Sequence, residues 1–233
     1  MQIFLDSAKY DEIENWLTQG VVDGVTTNPS IMLKDSVYDC EAGARRLCRL
    51  LGSRPLSVEV TSNNPREMLE QGRTFAGWAE NVVVKIPIVN ERGESCLGVI
   101  HGLSGEGIAV NTTAILSFNQ AILAVKAGAA YVSIFAGRIA DEGNDAAVVI
   151  RNVRQWLDQW SYAAKIIVGS IRAVIDIQQA ALAGAHIVTI PPQFLPKMVD
   201  HKYTRDTVRQ FNEDARKAQA QIAHVQAAAA VHG

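Results

Sequence analysis

The chain has 233 residues, 48% of them hydrophobic, with 22 basic and 24 acidic side chains and a formal net charge of -2. That length can bury one sizeable core, so a single domain over residues 1–233 is expected. Charges of both signs are scattered without the basic stripe that nucleic acid needs, and lysines interrupt every apolar stretch before the ~18 residues of a membrane span; the expected partners are small molecules.

Residues 1–10 hold a short apolar run broken by Asp6, with no basic leader and no cleavage site, which argues against export. Cys40, Cys48 and Cys96 are odd in number and show no CxxC spacing. They are expected to be packing thiols in a reducing cytoplasm, with neither a disulfide framework nor a zinc knuckle.

In chain order, short β-branched runs fall at residues 3–6, 22–27, 56–60, 82–88, 108–113, 131–135, 165–168 and 186–190. Between them lie stretches with helical spacing. Examples are Ile13, Trp16 and Leu17, then Ala44, Leu47, Leu50 and Leu51, then Val149, Val153, Trp156 and Leu157. Regular alternation predicts βα units, and eight of them in a chain this short predict an α/β fold of the closed (β/α)8 TIM-barrel type. An open doubly wound sheet is disfavoured because Asp6-Ser7-Ala8, and no GxGxxG, follows the first strand. After the eighth strand, Val208, Phe211, Ala215, Ala218, Ile222, Val225 and Ala229 step by three and four. They predict a long additional C-terminal amphipathic helix over about residues 204–230, covering its own barrel or a neighbouring subunit.

In such a barrel the chemistry sits at the C-terminal ends of the strands. That filter selects Asp6, Asn28, Glu59, Lys85, Asn111 with Thr113, Ser133 with Arg138, and Ser170 with Arg172. Lys85 stands out, because Val82-Val83-Val84 precede it and Ile86-Pro87-Ile88 follow it. Burial disfavours an ammonium ion and favours the neutral amine that attacks a carbonyl. The competing expectation is a structural lysine paired with Glu59 or Asp6. Those two carboxylates face the same pocket and suit general acid and base work, or act only as counter-ions.

Ser170-Ile171-Arg172 lies where the seventh strand enters its helix, a place where barrels hold phosphate against backbone N–H groups, and Arg138 could close on the same anion. Asn28, in the run Val25-Thr26-Thr27-Asn28-Pro29-Ser30, suits either a substrate hydroxyl or the cap of the next helix. His101, His186, His201, His224 and His232 include no pair at ligand spacing, so no metal is expected.

The segments Phe4-Leu5-Asp6-Ser7-Ala8, Asp23-Gly24-Val25-Thr26-Thr27-Asn28-Pro29-Ser30 and Val83-Val84-Lys85-Ile86-Pro87 carry a family resemblance. So do Gly107-Ile108-Ala109-Val110-Asn111-Thr112-Thr113, Phe135-Ala136-Gly137-Arg138 and Gly169-Ser170-Ile171-Arg172. Together they resemble the small-subunit transaldolase and fructose-6-phosphate aldolase family from residue 3 to about residue 211. The resemblance implies a Schiff base between Lys85 and a ketose phosphate, with Asp6 taking a proton at carbon–carbon cleavage. Glu59 and Thr113 would position a water that relays protons. Asn28, Asn111 and Ser133 would bind donor hydroxyls, Ser30 and Phe135 would contact substrate, and Ser170, Arg172 and Arg138 would hold phosphate. No cofactor is implied, and a homo-oligomer, pentamer or decamer, is.

Glu59 and Phe135 are the pair expected of transaldolases, where the aldolase branch is expected to carry Gln and Tyr. Transfer of a dihydroxyacetone unit between sugar phosphates is therefore favoured. The alternatives are an aldolase releasing dihydroxyacetone and a barrel that binds sugar phosphate without catalysis. Ile134, Gly169 and the loop at residues 90–95 depart from the family pattern around the pocket, which weakens the substrate assignment and leaves room for a specialised acceptor.

Overall fold

A computed structural model describes residues 1–231, in two compact units, Met1–Phe194 and a second beginning at Leu195. In the first unit the order is β1 (Gln2–Asp6), α1 (Tyr10–Thr18), β2 (Gly24–Thr26), α2 (Pro29–Lys34), α3 (Cys40–Leu51), β3 (Leu56–Glu59), α4 (Pro65–Ala76) and β4 (Val82–Pro87). There follow α5 (Leu97–Gly105), β5 (Val110–Ile115), α6 (Phe118–Lys126), β6 (Tyr131–Phe135), α7 (Ala136–Asp141), α8 (Ala146–Gln159), β7 (Lys165–Gly169), α9 (Val174–Leu182) and β8 (Ile187–Ile190). The eight strands pair in parallel, each with its sequence neighbours, and β1 pairs with β8 to close the barrel. The closed barrel expected from the alternation is therefore found.

The apolar strands follow from burial on both sides, since helices cover one face and the barrel interior the other. Phe4, Ile167 and Ile187 pack together with Tyr131 against them, closing the lower interior. Gly24 is required there, because a Cβ would stand 2.7 Å from the Phe4 ring. The interior below the strand ends is thus solid, and reactive groups are confined to the upper end.

Most strands keep the expected bounds to within one residue, while β2 and β5 depart by two. β2 begins at Gly24 and not at 22, because the Asp23 carboxylate accepts a hydrogen bond from the Ile3 N–H at 2.8 Å and occupies that edge. β5 runs two residues further than 113, through an irregular register between Thr112 and Ile115 where Ala114 takes a left-handed φ of 58°.

The second unit holds α10 (Leu195–Val199) and α11 (Lys202–Val231). On α11, Val208, Phe211, Ile222 and Val225 are exposed; the Ala229 side chain and His232 lie outside the described residues. No helix among the described residues is long and apolar enough to cross a membrane.

Candidate active site

Strand register, more than chain proximity, gathers the polar residues. Glu59 on β3 is the partner of Lys85 on β4, and Lys85 is the partner of Asn111 on β5. On the adjoining strands Asp6 on β1 is the partner of Thr26 on β2, and β2 pairs with β3. Because inward positions recur every second residue, one register brings these side chains to a common level.

Lys85 is only 4% exposed. Its Nζ donates to the Thr27 carbonyl at 3.1 Å and lies 3.0 Å from Glu59 Oε2. The pairing with Glu59 that competes with a nucleophile is therefore present. It does not exhaust the amine, because an ammonium has three donors and only these two have partners among the described residues. Glu59 keeps 20% of its side chain in contact with solvent and has no second donor among the described residues. Thr113, 1% exposed, has a buried hydroxyl with no hydrogen-bond partner. A buried hydroxyl without a partner is costly, and a water or substrate atom would satisfy it.

Asp6 is half-buried and accepts a hydrogen bond from the Thr26 hydroxyl at 2.9 Å. Thr26 in turn makes a short hydrogen bond with Thr189 on β8; with its proton directed at Asp6, Thr26 accepts from Thr189. Burial pushes the Asp6 carboxyl above the usual carboxylate range, against the opposing influence of the Lys85 charge and the Thr26 hydrogen bond. The carboxyl therefore holds a proton more readily than an exposed aspartate.

Asn111 Nδ2 donates to Ser57 Oγ at 3.1 Å, and Ser133 Oγ donates to Asn111 Oδ1 at 2.7 Å. This buried row leaves one amide N–H of Asn111 for another partner. Asn28 is the cap of α2, its Oδ1 accepting from the Ile31 N–H at 2.9 Å, while its amide N–H groups are unengaged among the described residues. The cap and substrate roles are thus compatible. Ser30, on the first turn of α2, is exposed, and among the described residues its hydroxyl has no hydrogen bond and no tie to the cluster. Phe135 ends β6 half-buried, opposite Gly169 of β7.

The loops after β6 and β7 lie against each other. The Gly137 N–H donates to the Ser170 carbonyl at 3.2 Å, and a Cβ at Gly137 would stand 2.3 Å from that oxygen. Only glycine permits this approach. Ser170 itself takes a left-handed φ of 59°. Two of the backbone N–H groups near the start of α9 are already used: Arg172 N–H and Ala173 N–H donate to Asp176 Oδ2 at 2.8 and 2.9 Å. Asp176 caps α9 because Ala173, at the cap position, has no side-chain acceptor. An anion here would meet side chains, the Ser170 hydroxyl with Arg172 and Arg138, whose guanidiniums both approach Asp141.

Sequence reasoning missed Thr26, Thr189, Ser57 and Asp141. Thr189 and Ser57 lie inside apolar strands, and two-residue alternation would have placed both on the inward face. Among the described residues no group of three or more His, Cys, Asp or Glu side chains could hold a metal ion.

Residues 3–232 match the family model described as Transaldolase/Fructose-6-phosphate aldolase. A protein named "Probable transaldolase" from Dehalococcoides mccartyi is 40% identical over 219 residues, covering 94% of this chain and 100% of its own length. "Probable transaldolase 2" from Listeria monocytogenes is 41% identical over 214 residues, covering 92% and 95%. Among solved structures, a mandelate oxidase mutant aligns with a TM-score of 0.54 at 15% identity, over 78% of this chain and 59% of its own, a likeness of fold alone.

Proposed function

The chain belongs to the transaldolase/fructose-6-phosphate aldolase family, and from that premise we propose that it is a transaldolase working through a Schiff base on Lys85. The observation that carries this reading is the Lys85 amine, buried in β4 with Glu59 Oε2 at 3.0 Å and the unsatisfied Thr113 hydroxyl on the next strand. The amine adds to the carbonyl of a ketose phosphate. The carbinolamine loses water to give the Schiff base, with Glu59 and Thr113 holding the water through which protons pass.

Asp6 takes the proton from the substrate hydroxyl as the carbon–carbon bond breaks and an aldose phosphate leaves. Its raised proton affinity suits a group that must accept and return a proton. The three-carbon enamine left on Lys85 attacks the acceptor aldehyde, and hydrolysis frees the new ketose phosphate and the amine. Asn28, Asn111 and Ser133 bind donor hydroxyls. Ser170, Arg172 and Arg138 hold the phosphate.

Glu59 and Phe135 favour transfer over free cleavage. With fructose 6-phosphate alone, turnover is expected to be negligible, and it is expected to appear when erythrose 4-phosphate is added as acceptor. Substantial release of dihydroxyacetone without acceptor would instead identify an aldolase.

The apolar residues exposed on α11 support a homo-oligomer. Light scattering is expected to give a multiple of the one-chain mass; a one-chain mass would contradict it.

A further inference from the structure

Asp141 has no part in the chemistry above, yet both arginines of the phosphate site converge on it. Arg172 Nη1 meets Asp141 Oδ1 and Nη2 meets Oδ2, each at 2.6 Å, so the end of the guanidinium is gripped in a bidentate pair. Arg138 Nη1 reaches the same Oδ2 at 3.7 Å from one turn away on α7. A guanidinium has a second donor edge, at Nε. Here that atom packs against the first turn of α7: a Cβ built on Gly137 would lie 2.3 Å from the Ser170 carbonyl oxygen and 2.8 Å from both Arg172 Nε and Ser170 Oγ. Both donors therefore pack beside the same glycine, no further apart than twice 2.8 Å, with the Ser170 carbonyl oxygen closest to Gly137.

We propose that Asp141 is the positioning residue of the phosphate site, gripping the end of the Arg172 guanidinium so that its Nε edge stays beside the Ser170 hydroxyl, where one phosphate can meet both. A free arginine of this length would have to be immobilised by the substrate itself, and ordering such a side chain costs affinity. With the clamp in place the Nε edge is oriented before the anion arrives. Arg138, held more loosely, swings in to complete the charge.

This inference rests on the phosphate role given to Ser170 and Arg172, so the test carries its own control. Steady-state kinetics on fructose 6-phosphate and on unphosphorylated fructose, with one acceptor, are compared for the parent and three variants. Asp141→Asn is expected to raise KM for fructose 6-phosphate on the order of tenfold, the worth of a hydrogen bond to a charged group, and to change kcat by less than about twofold. The ratio of kcat/KM for fructose 6-phosphate to that for fructose is expected to fall by the same factor. Asp141→Glu should recover part of it, and Arg172→Ala should lose more than Asp141→Asn. A lower KM in Asp141→Asn would show that Asp141 opposes the phosphate, and equal losses on both donors would reduce it to a structural ion pair; either overturns the proposal. If Arg172→Ala leaves the ratio unchanged, the phosphate site itself is misassigned and Asp141 has nothing to position.

Discussion

Lys85→Met is expected to remove turnover altogether, a loss on the order of 10⁴-fold or more, as when other covalent nucleophiles are deleted. Methionine keeps the length and apolar character of the stem within Val82–Pro87, so packing inside β4 is preserved while the amine is lost. The substitution also strands Glu59, whose partner is gone. Removing one member of a fully buried pair costs about 3–5 kcal/mol, but Glu59 remains 20% exposed and hydrates in part. A modest fall in Tm with complete loss of activity is the expected pattern, measured by thermal melting beside a coupled assay. Retention of more than about 1% of turnover would exceed what a site without its nucleophile supplies and would assign the Schiff base elsewhere.

Asp6→Asn is expected to lower turnover on the order of 10²–10⁴-fold, the usual contribution of a positioned acid or base, and to alter two pH dependences with definite sign. As a base Asp6 must be ionised, so parent activity falls as pH drops through its raised pKa, and the acid limb stands above the ordinary aspartate value of about 3.9. The variant should lack that limb in its residual rate. For stability, the folded chain holds the Asp6 proton more tightly than the unfolded chain does. At a pH below the ordinary aspartate value both states are protonated and nothing is lost. As pH rises the unfolded state ionises first, and the native state is progressively disfavoured until Asp6 has ionised in both. Asp6→Asn is therefore expected to raise Tm at neutral pH, with the gain vanishing in acid. Partial exposure of Asp6 keeps the effect small. A lower Tm at neutral pH would make Asp6 a counter-ion for Lys85.

Such a balance between activity and stability is common where a fold buries reactive charge. Other buried polar groups nearby are matched, Asn111 to Ser57 and Ser133 and Thr26 to Asp6 and Thr189, though the buried Thr112 hydroxyl, like that of Thr113, has no partner. Asp6, Lys85 and Thr113 carry the unresolved demand, and they are the groups assigned to proton transfer and covalent attack.

Much of this arrangement is legible in the chain because strand ends and the barrel mouth coincide. A lysine inside Val82–Pro87 and carboxylates ending Gln2–Asp6 and Leu56–Glu59 are visible as breaks in apolar runs. Register is what sequence reading cannot supply. The pairing of Glu59 with Lys85 depends on the stagger of β3 against β4, and the shift at Thr112 and Ile115 moves the end of β5. Asp141 and Asp176 were illegible for another reason. Each sits in a helix as an ordinary acidic residue, and its role comes from contacts across loops, with 31 residues separating Asp141 from Arg172. Asp176 takes the Arg172 and Ala173 N–H groups, so those two donors are lost to the proposed anion site and its side chains carry more of the binding.

The central claim is that Lys85 becomes covalently attached to the donor. Borohydride reduction during incubation with fructose 6-phosphate, followed by peptide mass spectrometry, tests it most directly. A reduced adduct is expected on the peptide containing Lys85 and is expected to be absent from Lys85→Met; an unmodified Lys85, or an adduct carried by another lysine, would overturn the assignment.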